Sequence, residues 1–210
     1  MMKVRDLTDW PTKIKKIPTQ KRAIERVKKI LSISEIIIET EDVTALTTTN
    51  LSRAANIPIG SIYQYFDSRE DILDYLHTKA YQEVLEKVQN TLNNIKPGIN
   101  FEVLNKKIIT VFWNEAKNHK SFTKLTRWAN NASTIWEATS QANSHIPRVV
   151  KQVLSLSDIT INEKRKSAFI KTISTVLSVL IDQAIEQEEI AEDLIEELKT
   201  LSNAYVKTLT

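Results

Sequence analysis

Glycine occurs only twice in these 210 residues, as Gly60 and Gly98. A fold of many hairpins needs glycine at its turns. A nucleotide-binding parallel sheet needs it at the phosphate loop. The scarcity argues against both and predicts an all-helical fold. Forty-one per cent of the chain is hydrophobic, enough to build a sizeable core. There is no cysteine, which excludes disulfides, thiolate catalysis and cysteine-based zinc sites. No apolar run approaches the roughly 18 residues of a membrane span. The opening stretch "MMKVRDLTDW" lacks the apolar segment of a signal peptide. These features predict a cytoplasmic protein with no membrane partner.

Charge is unevenly spread. Lys3, Arg5, Lys13, Lys15, Lys16, Lys21, Arg22, Arg26, Lys28 and Lys29 crowd the first thirty residues, opposed only by Asp6, Asp9 and Glu25. From Asp182 to Glu197 the charges are all acidic. A basic end suits a polyanion, although a solvated helix face carries charge equally well.

Residues 1–17 read as a mobile basic arm ending before Pro18. A helix follows at about 19–39, its apolar stripe formed by Ile24, Val27, Leu31, Ser34 and Ile38 and widened by Ile30 and Ile37. In "TTTNLSRAAN", Thr47 can cap a helix running from Thr48 to Ala55, and Asn56 suits the left-handed residue that ends it. Pro58 fits the first turn of the next helix. Two short helices joined by a tight turn make a helix-turn-helix. Asp67 or Ser68 restarts the chain as a helix to about Asn94. "NIKPGIN", residues 94–100, is the strongest break and reads as the best domain boundary. Further helices are expected at about 101–118, 121–129, 132–155, 162–187 and 189–208.

Gly60 then needs a reason, because glycine inside a helix costs about 1 kcal/mol. On a helical projection of residues 59–66, Ile62 and Phe66 share one face. Gly60, Ser61 and Gln64 lie opposite, with Tyr63 and Tyr65 at the edges. A helix pushed into a DNA groove wants such a face. Glycine allows close backbone approach, Gln64 and Ser61 can reach base edges, and tyrosine hydroxyls can bond phosphate. Thr48 and Thr49, at the start of the preceding helix, can also reach phosphate. The alternative is that Gly60 merely relieves a tight turn and the tyrosines pack.

The stretch "ALTTTNLSRAANIPIGSIYQYFDSREDIL" resembles the DNA-binding domain of the TetR family of transcriptional repressors. The resemblance covers about residues 20–76: the "LTT" entry, the alanine-rich short helix, "GSIYQYF" and the S-R-E restart. It implies a DNA-binding domain at 18–76 and a larger helical domain at 77–210 that binds a small-molecule effector and forms a homodimer. Carried onto this sequence, the contacts to double-stranded operator DNA would be Thr48, Thr49, Ile59, Gly60, Ser61, Tyr63, Gln64, Tyr65 and Arg69. Two positions depart from the family pattern. Asn56 replaces the usual turn glycine, and Thr49 stands where arginine is common.

Other constellations are few. His77, His119 and His145 lie far apart without metal-ligand spacing, and no nucleophile motif or phosphate loop is present. No enzyme activity, catalytic residue, metal or cofactor is expected. Phe112, Trp113, Phe122, Trp128, Asn131 and Trp136 read as ordinary core or, with the resemblance, as lining for an effector pocket. Phe169, Ile173, Val176, Leu177, Leu180 and Ile181 form one wide apolar face, and Leu194, Leu198 and Leu201 lie on another. Both faces suit an internal core or a four-helix dimer interface, and the resemblance implies the interface. The functional expectation is a ligand-responsive homodimeric repressor. Its rival is a helical adaptor or DNA-coating factor governed by a protein partner.

Overall fold

A computed structural model of the chain describes residues 14–132 and 145–209, and among these it is all helical, without a strand. Contacts divide the chain into two units, one ending at Ala80 and the other beginning at Tyr81. The division falls inside a helix, so no loop marks it. The boundary read from sequence, 76/77, lies a turn earlier on that helix, and the break at 94–100 falls within the second unit.

The first unit comprises α1 (Lys21–Thr40), α2 (Thr48–Ala55), α3 (Ile59–Tyr63) and the beginning of α4 (Arg69–Asn93). The expected stripe on α1 is buried, from Val27 through Ile30, Leu31, Ser34 and Ile37 to Ile38, while Ile24 is half-buried. The buried Ser34 hydroxyl donates to the Ile30 carbonyl at 2.8 Å, which satisfies it within the helix. Lys79 Nζ reaches both Glu35 carboxylate oxygens, at 2.7 and 2.8 Å, and ties α4 to α1.

The turn chemistry follows from the side chains. Thr47 Oγ1 accepts from the Asn50 amide at 3.1 Å and caps α2. Asn50 does not complete a capping box; its own amide donates to the Ala45 carbonyl at 3.0 Å. Asn56 is left-handed, with φ 49° and ψ 52°. Its N–H bonds the Arg53 carbonyl, and the Ile57 N–H bonds that of Ser52. This is a Schellman motif, which satisfies two carbonyls at the helix end. Pro58 then precedes α3 as its N-cap residue rather than sitting in the first turn. Ser68 and Asp71 form the reciprocal capping pair of α4, with Asp71 Oδ2 accepting from the Ser68 amide at 3.0 Å and Ser68 Oγ from the Asp71 amide at 3.3 Å.

The second unit comprises the rest of α4, then α5 (Phe101–Asn118), α6 (Phe122–Ala132), α7 (Ile146–Leu156), α8 (Glu163–Glu186) and α9 (Ala191–Lys207). Helix α8 packs against α6, α7 and α9, and α9 also packs against α5. By length and composition α8 could cross a membrane, but here its apolar side chains meet three other helices. Gly98 has φ 88°, the conformation that L side chains resist. Its amide and that of Ile99 both donate to the Leu156 carbonyl, and Asp158 Oδ1 accepts from the Phe101 amide at 2.9 Å. The break at 94–100 is therefore stitched to the end of α7.

Asn56→Ala should lower the stability of the first unit by about 1–2 kcal/mol, because alanine lacks the local hydrogen bonding that eases the left-handed region. Asn56→Gly should be neutral or stabilising. Urea unfolding followed by circular dichroism would compare the two. Equal midpoints would mean that the turn does not depend on a left-handed residue.

Candidate functional site

The short helix α3 presents Ile59, Gly60, Tyr63 and Gln64 to solvent, with Ser61 half-buried between them. A Cβ placed on Gly60 would meet nothing within 4 Å, and its φ is not positive. Neither crowding inside the chain nor backbone strain therefore calls for glycine there. The freedom it gives lies on the outer side. At the start of α2, Thr49 is exposed and Thr48 half-buried. Arg69 is half-buried, and its Nε donates to Glu70 at 3.0 Å.

Tyr65 departs from expectation. It is 6% exposed and lies in the core beside Phe66. The helical projection failed because α3 stops at Tyr63, with Gln64 as its C-cap. Past that residue the phase of a continuous helix no longer applies. The Tyr65 carbonyl accepts from the Lys15 amide at 2.9 Å, and Lys15 also pairs with Asp67. The last residues of the basic arm are thus tied to the loop after α3, and Pro18 is buried. Lys3, Arg5 and Lys13 lie outside the described residues.

In the second unit, α4, α5, α7 and α8 line a partly open cavity of about 60 Å³. Val88, Ile108, Phe112, Val150, Ile173 and Ile181 typify its wall, and among the described residues Asn105 is the only polar side chain on it. Of the residues expected at an effector site, Phe112 stands on this wall. Its neighbour Trp113, about 100° further round the helix, is buried elsewhere. The Trp113 indole donates to Glu192 at 3.0 Å, and Lys117 lies over the ring at 5.4 Å. Phe122 packs edge-on against Phe112, with centroids 6.2 Å apart. Trp128 is half-buried; Asn131 is exposed and bonds the Arg127 carbonyl. Trp136 lies outside the described residues. The aliphatic residues of α7 and α8 on the wall were not anticipated, and the unusual width of the α8 apolar face was the signal for them.

Residues 30–76 match the family model described as "Bacterial regulatory proteins, tetR family". The chain carries a TetR-type N-terminal domain. Two solved structures share the architecture. One is a TetR-family transcriptional regulator from Streptomyces coelicolor, 19% identical, with a TM-score of 0.55 over 88% of this chain and 99% of that one. The other is a transcriptional regulator (TerR/AcrR family) from Aquifex aeolicus VF5, 14% identical, with a TM-score of 0.51 over 86% and 99%. At these identities the likeness is one of fold. No curated protein sequence matches the chain. The family match covers residues 30–76, and over the rest of the chain it is the fold that is shared.

Of the residues expected at a TetR-type dimer interface, Phe169, Ile173, Ile181 and Leu198 are buried within the chain itself. Leu177 is half-buried and lines the cavity. Val176, Leu180 and Leu194 are half-buried, and Leu201 is 49% exposed. The acidic side chains from Glu186 to Glu197 are exposed. His119 has a structural role that sequence did not suggest. Its Nδ1 accepts from the Ser121 and Phe122 amides at 3.3 and 3.2 Å and caps α6, which directs Nε2 to Glu83 at 2.9 Å.

Asp182 is the exception in the acidic run. Burial, and then repulsion from Glu186, raise its pKa to about 7. It adjoins Tyr81, whose phenol is pushed upward by burial and by Asp182. Burial lowers His77 to about 4 against the pull of Asp74. The signs oppose each other. Asp182 holds a proton in the folded chain that the unfolded chain releases, so its contribution falls as pH rises from about 4 to about 7. His77 makes stability rise between about 4 and 6.5. Asp182→Asn should therefore gain stability relative to the parent as pH climbs from 4 to 7, read as a widening gap in melting temperature. A gap that does not change with pH would show that Asp182 ionises normally.

Proposed function

We propose that this TetR-type chain is a cytoplasmic, ligand-responsive repressor that binds operator DNA as a homodimer. The open face around Gly60 carries the reading. A glycine that nothing inside the chain requires is explained by an outside surface that must come close. On this reading α3 enters the major groove. Gln64 and Ser61 read base edges, while Ile59 supplies apolar contact to a thymine methyl group. Tyr63, Thr48, Thr49 and Arg69 hold phosphates and fix the register. Tyr65 supports α3 from the core. Two such helices would lie roughly 34–36 Å apart to meet successive grooves.

The dimer is assigned to what α8 and α9 leave uncovered after their internal packing. Ile190 and Leu201 are exposed, and Leu194, Val176 and Leu180 are half-exposed. The cavity is assigned to the effector. A ligand there can release DNA only by binding the released conformer more tightly than the bound one.

Gly60→Val should leave melting unchanged, since a side chain has open space there, and should weaken operator binding by more than tenfold. The operator is obtained by selection from random DNA. Affinity measured against salt on selected and random sequences separates a repressor from a DNA-coating factor, which would show no sequence preference. Undiminished binding by the valine variant would overturn the close-approach argument. Leu201→Glu should place an unpaired charge in the interface and give a monomer in light scattering, with operator affinity lost. A dimer surviving that substitution would move the interface away from α9.

A further inference from the structure

We propose that the cavity takes a neutral, flexible aliphatic molecule whose single hydroxyl or N–H group donates a hydrogen bond to Asn105 Oδ1. The proposal rests on the reading of this cavity as the effector site, and it specifies the chemistry that site selects.

Among the described residues no charged side chain stands on the wall. A carboxylate or ammonium moved into such a space would lose its hydration without gaining a partner. The surfaces on offer are branched aliphatic groups and three phenyl rings, those of Phe101, Phe112 and Phe169. Apolar cavities of this kind stay dry and accept apolar molecules. The volume, about 60 Å³, suits a chain that can bend to fit and can push leucine and isoleucine side chains into new rotamers.

Asn105 supplies the one directional group. It is 7% exposed. Its amide nitrogen donates to Ser202 Oγ at 2.7 Å and to Asn203 Oδ1 at 2.9 Å, which uses both hydrogens on α9. Ser202 spends its own hydrogen on helix carbonyls, that of Leu198 at 2.8 Å being the nearest. The serine oxygen therefore faces Asn105 as an acceptor, with the Asn105 amide nitrogen turned to α9 and Asn203 Nδ2 left buried without a partner among the described residues. The Asn105 carbonyl oxygen is left over. Among the described residues no donor reaches it, and Asn105 is the only polar group on the cavity wall. An acceptor that faces an apolar cavity without a donor is poorly served there, and a ligand that brings a donor supplies the missing bond. The pocket thus distinguishes a donor-bearing chain from one of the same size without a donor.

Calorimetric titration of the full chain with 1-octanol, with methyl heptyl ether of the same heavy-atom count, and with octanoate tests this. The alcohol should bind about 2- to 12-fold more tightly than the ether, the span a neutral hydrogen bond provides. Octanoate should bind most weakly. Asn105→Leu, checked for folding by circular dichroism, should bring the alcohol to the affinity of the ether. The ligand series on the parent chain decides the matter even if that variant does not fold. Equal affinities for alcohol and ether would overturn the assignment to Asn105 while leaving the cavity as the effector site. Tightest binding of octanoate would overturn the neutral class. Binding of none of the three would remove both this proposal and the effector site beneath it.

Discussion

Helix α8 is the member on which the second unit depends. It packs against α6, α7 and α9 while turning Ile173, Leu177 and Ile181 toward the cavity. A helix with partners on that many sides has to be apolar round most of its circumference. The chain meets that demand with Phe169, Ile170, Ile173, Ile181, Ala184 and Ile185, all buried. Its ends are secured by polar means. Asn162 Oδ1 accepts from the Lys164 amide at 2.9 Å, and Arg127 donates to the Ile185 carbonyl through Nε at 3.0 Å and Nη2 at 2.8 Å. An arginine at a helix C-terminus satisfies an orphan carbonyl and opposes the dipole. The same contact holds α6 against the end of α8.

The first unit is organised by a turn. With Asn56 left-handed, α2 ends in two satisfied carbonyls and the chain swings directly into α3. Helix α3 is too short to be stable alone. It is held by Ile62 and by the buried ring pair Tyr65 and Phe66 that follows it. Because the anchoring side chains sit on one side and just beyond its end, the opposite side can carry glycine, serine and glutamine without loss of fold. The surface is free to be chosen for contact because stability is provided elsewhere.

Local chemistry was the legible part of the sequence. Thr47, Asn56 and the Ser68–Asp71 restart each announce a helix boundary through hydrogen bonds made within a few residues, so α2 and the start of α4 fell close to where they were expected, whereas of the helix expected at 132–155 residues 133–144 lie outside the described residues. Long-range packing was less legible. A wide apolar face on α8 is equally consistent with a partner chain or with three neighbouring helices in the same chain, and only the fold tells them apart. Aromatic residues drew attention to Trp113 and Trp128, yet the cavity wall is mostly aliphatic. Phe112 and Trp113 are adjacent in sequence and point to different surroundings, a distinction that needs the phase of α5 relative to α9. Tyr65 was misplaced for a local reason, since periodicity holds only while the helix lasts.

On the proposed function, the linkage between effector and DNA passes through α4, whose residues 69–80 belong to the first unit and whose Leu85 and Val88 line the cavity of the second. The energy scale is informative. A cavity of about 60 Å³ left unfilled costs on the order of 1.5 kcal/mol at about 24 cal/mol per Å³. That is near the lower part of the 1–3 kcal/mol range typical of coupling between sites. Filling the void without moving its walls would stabilise every conformer that has the void, and would therefore shift no equilibrium. An effector must instead be larger than the space it enters. Displacing Val88 or Leu85 would let one setting of α4 accommodate it and another not. Since α4 begins at the Ser68–Asp71 cap, directly after α3, the helix that a bulky chain would displace is the one that carries Arg69 toward the proposed DNA face. The small size of the cavity is then the source of its leverage.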